Sequence, residues 1–229
     1  MGDIMYKYDL HMHTIEASAC GQSDVHAMIR RLHSAGFSGA VITNHFLGGN
    51  TAIDRSLPWQ DIVQAFSAPY YDGQTTAREL GFDLLFGLEQ CYGKGKEFLV
   101  YGLTPQFLFE RPELRDCSLE LWSDEVRRAG GFLCYAHPFR NRSYILNPDE
   151  MPDLSLCDGV EAYNYCNEPE ENEKAFAVFS GKNTVLLAGG DHHSDRLTDS
   201  YGIALSKPVH TERELADRLR NGDFSLYLG

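Results

Sequence analysis

Short runs of apolar and β-branched residues alternate along the chain with longer stretches in which apolar positions recur every three or four residues. The short runs predict strands at Tyr6–His11, Gly39–Thr43, Phe82–Leu88, Phe98–Leu103, Gly131–Ala136, Gly159–Tyr163, Thr184–Ala188 and Gly202–Ser206. The longer stretches predict helices at Asp24–Ala35, Trp59–Leu80, Leu119–Ala129, Glu170–Phe179 and Glu212–Asn221. Asp24 and Thr211 stand where N-caps belong, and Gly36, Gly130 and Gly181 mark element ends. Pro69 and Gly73 predict a break in the second helix, because proline offers no N–H and crowds the preceding turn. Strands alternating with helices predict an α/β fold with a largely parallel sheet or barrel. No internal repeat, low-complexity tract or Pro/Gly linker divides the sequence, so residues 1–229 are expected to form one domain.

The residues that follow these strands are unusual. His11 and His13 close the first, His45 the second, Glu89 the third, His137 the Gly131–Ala136 strand, and Asp191 with His193 the Thr184–Ala188 strand. In a barrel of parallel strands all C-terminal ends open on one face, so residues far apart in sequence converge on one mouth. His11 and His13, two apart on a strand, project to the same side and suit a shared ion. Asp191 and His193 have the same spacing. His192 between them faces the other way, where packing is the expected role, and His26, His33 and His210 sit in or beside helices, where a surface position is expected. A donor set of imidazole and carboxylate without cysteine suits Zn, Mn or Fe. Glu89 is placed to bridge two ions, about 3.5–4 Å apart in such centres.

Charge narrows the partners. The net charge of −13 over 229 residues disfavours extended nucleic acid, whereas ions at the mouth make a local positive field that favours a small anionic substrate such as a phosphate ester. Met1–Leu10 contains no apolar run of the signal-peptide kind, and the longest apolar runs are strand-sized, so no membrane segment is expected. Cys20, Cys91, Cys117, Cys134, Cys157 and Cys166 include no CxxC pair; they are expected as reduced thiols in ordinary packing and point to the cytoplasm. No Gly-x-Ser-x-Gly elbow is present to indicate a serine hydrolase. The sequence does not specify an oligomeric state.

Five segments carry a family resemblance: Asp9-Leu10-His11-Met12-His13-Thr14, Thr43-Asn44-His45, Gly87-Leu88-Glu89, Ala136-His137-Pro138-Phe139 and Gly190-Asp191-His192-His193-Ser194. In this order the chain resembles the PHP (polymerase and histidinol phosphatase) family of metal-dependent phosphoesterases, over residues 9 to about 205. The resemblance implies a distorted (β/α)7 barrel of the PHP type with two or three divalent ions at the strand ends. It implies that His11, His13, Glu89 and Asp191 hold one ion, Glu89 and His137 a second, and His45 with His193 a third. A hydroxide bridging the first two ions is then the nucleophile, with His11, His13, Glu89, His137 and Asp191 as the catalytic set. Arg140 is the expected phosphate clamp, and Arg142 is expected at the surface.

Three departures from the family pattern bear on metal number. Asn44 stands where the family has Asp, which predicts a less firmly oriented His45. No further His follows the first motif within Ile15–Cys20, and none lies on the Phe98–Leu103 strand; Glu16 and Glu97 are the acidic residues near those places. Glu161 ends a strand near the mouth, where supporting the site and simple solvation are the two expected roles. The loops Phe46–Leu57, Arg140–Asp153 and Tyr163–Asn172 are expected to set specificity. Two other readings fit the motifs: an amidohydrolase-like metal hydrolase, and a non-catalytic metal-binding PHP module.

Overall fold

A computed structural model describes residues 5–229; the first four residues, part of the stretch read for a leader, lie outside the described residues. In chain order the elements are β1 (Tyr6–Met12), α1 (Val25–Ser34), β2 (Gly39–Ile42), α2 (Trp59–Leu80), β3 (Asp83–Phe86), β4 (Leu88–Gly93), β5 (Lys96–Tyr101) and α3 (Pro105–Phe109). There follow α4 (Leu119–Arg128), β6 (Phe132–Tyr135), β7 (Gly159–Asn164), α5 (Pro169–Phe179), β8 (Val185–Gly189), β9 (Gly202–Leu205), α6 (Glu212–Asn221) and β10 (Ser225–Tyr227). The α/β class is as the sequence predicts.

The strands form two mixed five-stranded sheets, β10-β9-β1-β2-β3 and β4-β5-β6-β7-β8, and no closed barrel is found among the described residues. The largely parallel arrangement expected from the sequence is corrected: β1/β2, β2/β3, β6/β7 and β7/β8 are parallel, whereas β1/β9, β9/β10, β4/β5 and β5/β6 are antiparallel. The predicted strand Phe82–Leu88 is two strands. Gly87 separates them, and a Cβ there would lie 2.7 Å from Val41 Cγ1 and 2.8 Å from the Val100 carbonyl, so only glycine lets the chain pass from one sheet to the other. Single bridges join the sheets at two seams, Met12 to His192 and His45 to Glu89. At the first seam Asp191 N–H donates to the His11 carbonyl at 2.6 Å; at the second Phe46 N–H donates to the Glu89 carbonyl at 2.7 Å.

The helices follow the predicted ranges closely. Asp24 caps α1 by accepting from Ala27 N–H, and Thr211 caps α6 by accepting from Glu214 N–H. The predicted break in α2 does not occur: the helix runs unbroken over 22 residues with Pro69 inside it. Ile62, Val63 and Phe66 before the proline and Ala77 after it are all buried, and this packing on both sides offsets the lost hydrogen bond. Gly73 serves contact rather than bending. A Cβ there would meet Leu84 Cδ2 at 2.7 Å and Val25 Cγ2 at 2.8 Å.

The largest core cluster sits between α2, α4 and the β4–β7 strands. Phe46 meets Trp59, Phe66 and Trp122 edge-on, and Trp59 Nε1 donates to the Leu108 carbonyl at 2.8 Å. Burying each such side chain contributes about 1.5–3 kcal/mol. This core fixes the second seam, because Phe46 directly follows His45. No helix of the described chain is long and apolar enough to cross a membrane.

Candidate metal centre

The seven residues predicted from the strand ends converge at the two seams. His11 is on β1 and His13 one residue beyond it; His45 follows β2; Glu89 is within β4; His137 follows β6; Asp191 and His193 follow β8. All but His193 are buried. The His11 and His13 Nε2 atoms lie 3.1 Å apart. Glu89 is the hub: Oε1 lies 3.0 Å from His137 Nε2 and 3.3 Å from His11 Nε2, and Oε2 lies 2.9 Å from His45 Nδ1 and 3.3 Å from His13 Nε2. Asp191 Oδ1 approaches His13 Nε2 at 3.1 Å and His11 Nε2 at 3.4 Å. The His193 ring stacks on His13 with centroids 4.4 Å apart.

Hydrogen bonds behind the imidazoles decide which nitrogen faces inward. His11 Nδ1 lies 2.9 Å from Glu161 Oε1, which as a carboxylate oxygen accepts, so Nδ1 carries the proton. Glu161 Oε2 accepts from His137 N–H and from Asn164 Nδ2, each at 3.0 Å. This gives the supporting position expected for Glu161 a defined set of partners. A Cβ on Gly189 would lie 2.5 Å from Glu161 Oε1 and 2.7 Å from His11 Cβ, so glycine is what lets this pair close. His13 Nδ1 lies 3.1 Å from Ser18 Oγ, whose own hydrogen goes to Asn44 Oδ1 at 2.8 Å. His193 Nδ1 donates to the Asp191 carbonyl at 2.8 Å. Each of these rings therefore turns an Nε2 lone pair away from its supporting partner.

Asn44 is not a weak substitute in this arrangement. Its Oδ1 also accepts from Thr14 N–H at 2.7 Å, its Nδ2 donates to Thr14 Oγ1 at 3.0 Å, and Ser18 Oγ accepts from His45 N–H at 2.9 Å. Asn44 makes no bond to the His45 ring; its amide uses both donor and acceptor to hold the loop whose Ser18 accepts from the His45 backbone N–H. Asp9, also buried, accepts from His11 N–H at 2.9 Å, Gly190 N–H at 2.8 Å and Ser200 Oγ at 2.6 Å, tying β1 to the β8 end.

Electrostatics follow from this crowding. Burial opposes charge on Glu89 and Asp191, but the neighbouring His11 outweighs it, with His45 helping at Glu89 and Arg140 at Asp191, and both carboxyls are held well below their usual range. Burial also opposes charge on His11 and His45, yet the facing carboxylates hold both imidazoles well above their ordinary value. His13 goes the other way, down to about 3, through burial and the charge on His45. Glu97 is pushed up to about 8 by burial and by the charge on Glu89.

Donor chemistry fits divalent cations. His11, His13, Glu89 and His11, His137, Asp191 each offer ligand atoms within 4.8 Å of one another, as do His45, Glu89, Glu97 and His13, Cys20, His45, His193. His45 Nδ1 lies 2.9 Å from Glu89 Oε2 but is buried without a hydrogen bond. Carboxylates and imidazoles crowded into one volume suit a divalent cation, which can replace the protons that His11 and His45 hold there. Two members of these groups lie beyond the predicted set. Glu97 sits on β5, with Oε1 3.3 Å from His45 Nδ1 and Oε2 3.6 Å from His137 Nε2. Cys20, a residue type left out of the donor set expected from the sequence, shares its group with His13, His45 and His193. Burial alone raises its thiol, but hydrogen bonds to His193 and His45 bring it down to about 6.

Beside the cluster lies a cavity of about 550 Å³, lined among others by Cys20, His45, Glu97, Arg140, Tyr144 and His193. Arg140 is buried: Nη2 donates to Asp191 Oδ2 at 2.5 Å and Asn164 Oδ1 at 2.8 Å, and Nε to Asn167 Oδ1 at 2.8 Å. Arg142 pairs with Glu171 at the half-exposed rim. His192 packs beside Tyr165, His26 is half-buried against Thr76 and Asp72, and His33 and His210 are exposed.

No family model and no curated protein matches the chain. Solved structures do. A two-domain protein from Bacteroides vulgatus containing a predicted PHP-like metal-dependent phosphoesterase superposes with a TM-score of 0.72 at 17% identity, over 98% of this chain and 65% of that one. The fold is PHP-like. The same fold is shared with an amidohydrolase from Chromobacterium violaceum, at a TM-score of 0.60 and 14% identity over 95% of this chain and 97% of that one. A lesion-specific endonuclease from Pyrococcus furiosus matches at 0.65 and 12% identity, over 98% of this chain and 58% of that one. The chain thus spans less than two thirds of the Bacteroides and Pyrococcus proteins, and the PHP-like fold is common to neighbours with different described activities.

Proposed function

We propose that this chain is a divalent-metal-dependent hydrolase of a small phosphate ester, acting as a single unit over residues 1–229. The observation that carries this reading is the inward convergence of His11, His13, Glu89, His137 and Asp191 beside a cavity of about 550 Å³ that Arg140 also lines. The seams support reading the two sheets as halves of a distorted (β/α)7 barrel of the PHP type, with this cluster at its mouth.

In this reading His11, His13, Glu89 and Asp191 hold one ion, Glu89 and His137 a second, and His45 with His193 a third, drawn from Zn, Mn or Fe. Bound there, the ions supply Lewis acidity toward phosphoryl oxygens and make water nucleophilic at neutral pH. The protein does the rest. Glu161 keeps the His11 proton on Nδ1, Ser18 keeps the His13 proton on Nδ1, and Arg140 holds Asp191 while presenting positive charge to a phosphate in the cavity. The cavity has the size of a small-ligand site, which favours a small ester over extended nucleic acid.

The PHP-like fold shared with the Chromobacterium amidohydrolase supports a second reading, in which the same residues cleave an amide. The experiment is a release assay after removing bound metal and reloading with Mn, Fe or Zn, using phosphomonoesters, phosphodiesters and amides, with His13→Ala as control. Phosphate or alcohol release that requires metal and falls with His13→Ala upholds the phosphoesterase reading. Amine release without ester cleavage replaces it with the second, and inertness with every metal replaces both with a non-catalytic metal-binding module.

A further inference from the structure

Cys20 has no role in the scheme above. It lies on the turn Ser18–Gly21, which is closed by Gly21 N–H donating to the Ser18 carbonyl at 2.9 Å. Flanking hydrogen bonds clamp this turn between the two segments that carry His45 and His193: Ala19 N–H donates to the Asn50 carbonyl at 2.8 Å, and Gln22 N–H to the His193 carbonyl at 2.7 Å. A Cβ on Gly21 would lie 2.5 Å from the Thr14 carbonyl carbon, so the turn is as tight as glycine permits. The thiol is free, lines the cavity, and shares one 4.8 Å group with imidazole nitrogens of His13, His45 and His193. His193 has spent Nδ1 on the Asp191 carbonyl, so its Nε2 is the available lone pair. His45 is buried beside it: Nδ1 faces Glu89 and Glu97, and the ring shares the same group with Cys20.

We propose that Cys20, His45 and His193 form a mixed thiolate–imidazole cation site at the cavity wall, selective for a borderline-soft ion of the Zn(II) class over Mn(II) or Mg(II). His13 is the further imidazole of this group, but its Nε2 is already assigned to the ion shared with His11, Glu89 and Asp191. Three protein ligands leave a tetrahedral ion one open position for a substrate oxygen. A thiolate shifts preference away from the hard ions that carboxylates suit. Loading forms one S–metal and two N–metal bonds and releases to solvent the protons that Cys20 and the two imidazoles hold in the metal-free chain. This inference rests on the metal-centre reading above but not on the reaction being phosphate hydrolysis.

Cobalt(II) added to the metal-free full chain tests it without any substrate. The wild type is expected to develop a near-ultraviolet sulfur-to-cobalt charge-transfer band, while Cys20→Ser binds one ion fewer per chain and lacks the band. Cys20→Ser should keep the visible bands of cobalt held by His and carboxylate. Cys91→Ser, from the same cavity wall, should keep the charge-transfer band. On wild type alone, Zn(II) should slow alkylation of Cys20 by iodoacetamide at least tenfold, mapped by mass spectrometry, so the test survives a Cys20→Ser chain that does not fold. Cobalt loading without the band, a band that persists in Cys20→Ser, or unchanged alkylation under Zn(II) overturns the site. A chain that shows the band yet releases no phosphate from any ester refutes the phosphoesterase reading and leaves this one standing.

Discussion

Replacing Glu161 by Gln probes the centre without touching a proposed ligand. Glu161 accepts three hydrogen bonds: from His11 Nδ1 at 2.9 Å, and from His137 N–H and Asn164 Nδ2 at 3.0 Å each. Glutamine keeps one oxygen and gains a donor, so it has two choices. With its oxygen toward His11, the amide nitrogen faces two buried donors. Asn164 cannot turn to help, because its Oδ1 already accepts from Arg140 Nη2 at 2.8 Å and Cys166 N–H at 3.0 Å. Stranding two buried donors costs about 1–3 kcal/mol each. With its nitrogen toward His11 both donors stay paired, but His11 Nδ1 must now accept, so the ring can carry a proton only on Nε2, the atom that faces His13, Glu89 and Asp191.

The second choice is the cheaper one in the metal-free chain, which should therefore fold and melt close to wild type. Binding an ion at His11 Nε2 then requires a return to the first choice. At a lower bound of about 2 kcal/mol for that return, affinity falls roughly thirtyfold, within the range of about 10–100-fold typical for partners behind a metal ligand. Competition titration of Zn(II) against a chromophoric chelator gives the affinity, and nitrogen-15 chemical shifts of the histidine rings give the tautomer. Wild-type affinity in a folded Glu161→Gln chain, or a His11 proton still on Nδ1, refutes the reasoning.

Three other outcomes follow from the same geometry. Ser18→Ala strands the buried His13 Nδ1–H and His45 N–H, so a urea melt should show about 2 kcal/mol or more of lost stability, and an unchanged midpoint would mean that Ser18 holds neither. Arg140→Met should lower kcat/KM for a phosphate ester by about 10–100-fold, the worth of a charged hydrogen bond of about 1.5–3 kcal/mol, and undiminished turnover would remove Arg140 from the site. His210 accepts a raised imidazole pKa from its hydrogen bond and charge pairing with Asp83, so the stabilisation is fully present below the ordinary value of 6.5 and is lost as pH rises through the higher folded value. Because the ring is largely exposed, the loss is only about 0.3 kcal/mol after screening; proton NMR should place the midpoint above 6.5, and His210→Gln should flatten that part of the stability profile.

The fold class, the helices and the seven converging residues were legible because apolar strands ending in His, Asp or Glu are a local signal that survives without tertiary information. The two-sheet arrangement was not, because β4 and the start of β5 carry polar residues that turn toward the site or into buried pairs. Glu89, Gln90 and Lys96 are buried, and Lys96 Nζ donates to the carbonyls of Pro138 at 2.6 Å and Pro148 at 3.0 Å. A strand whose buried side chains are polar reads as a loop, so the sequence names Glu97 by its place beside the Phe98–Leu103 strand but not as a group turned toward the site. Cys20 was hidden for a different reason. It lies on a turn, where spacing carries no directional information, and only the hydrogen bonds to the Asn50 and His193 carbonyls either side of it bring it to the imidazoles.

Backbone conformation points to the same place as side-chain chemistry. Among the described residues, only Lys94, His137 and Asp191 are non-glycine residues with positive φ. Lys94 is explained by the β4–β5 turn between Gly93 and Gly95. The other two, at +27° and +55°, are proposed ligands that share one group with His11, and each such conformation costs about 1–3 kcal/mol. Each is held by a backbone bond to the same neighbourhood: His137 N–H to Glu161 Oε2 at 3.0 Å, and Asp191 N–H to the His11 carbonyl at 2.6 Å. Glu161 also bonds His11 Nδ1. The carboxylate that sets the tautomer of one ligand therefore restrains the strained backbone of another, and a packed apolar core has no need of either arrangement. The strained backbone is unfavourable in the bare protein, where the clustered carboxylates are balanced by the charge on His11, His45 and Arg140, and a divalent cation bound among the imidazole nitrogens would take over that balance.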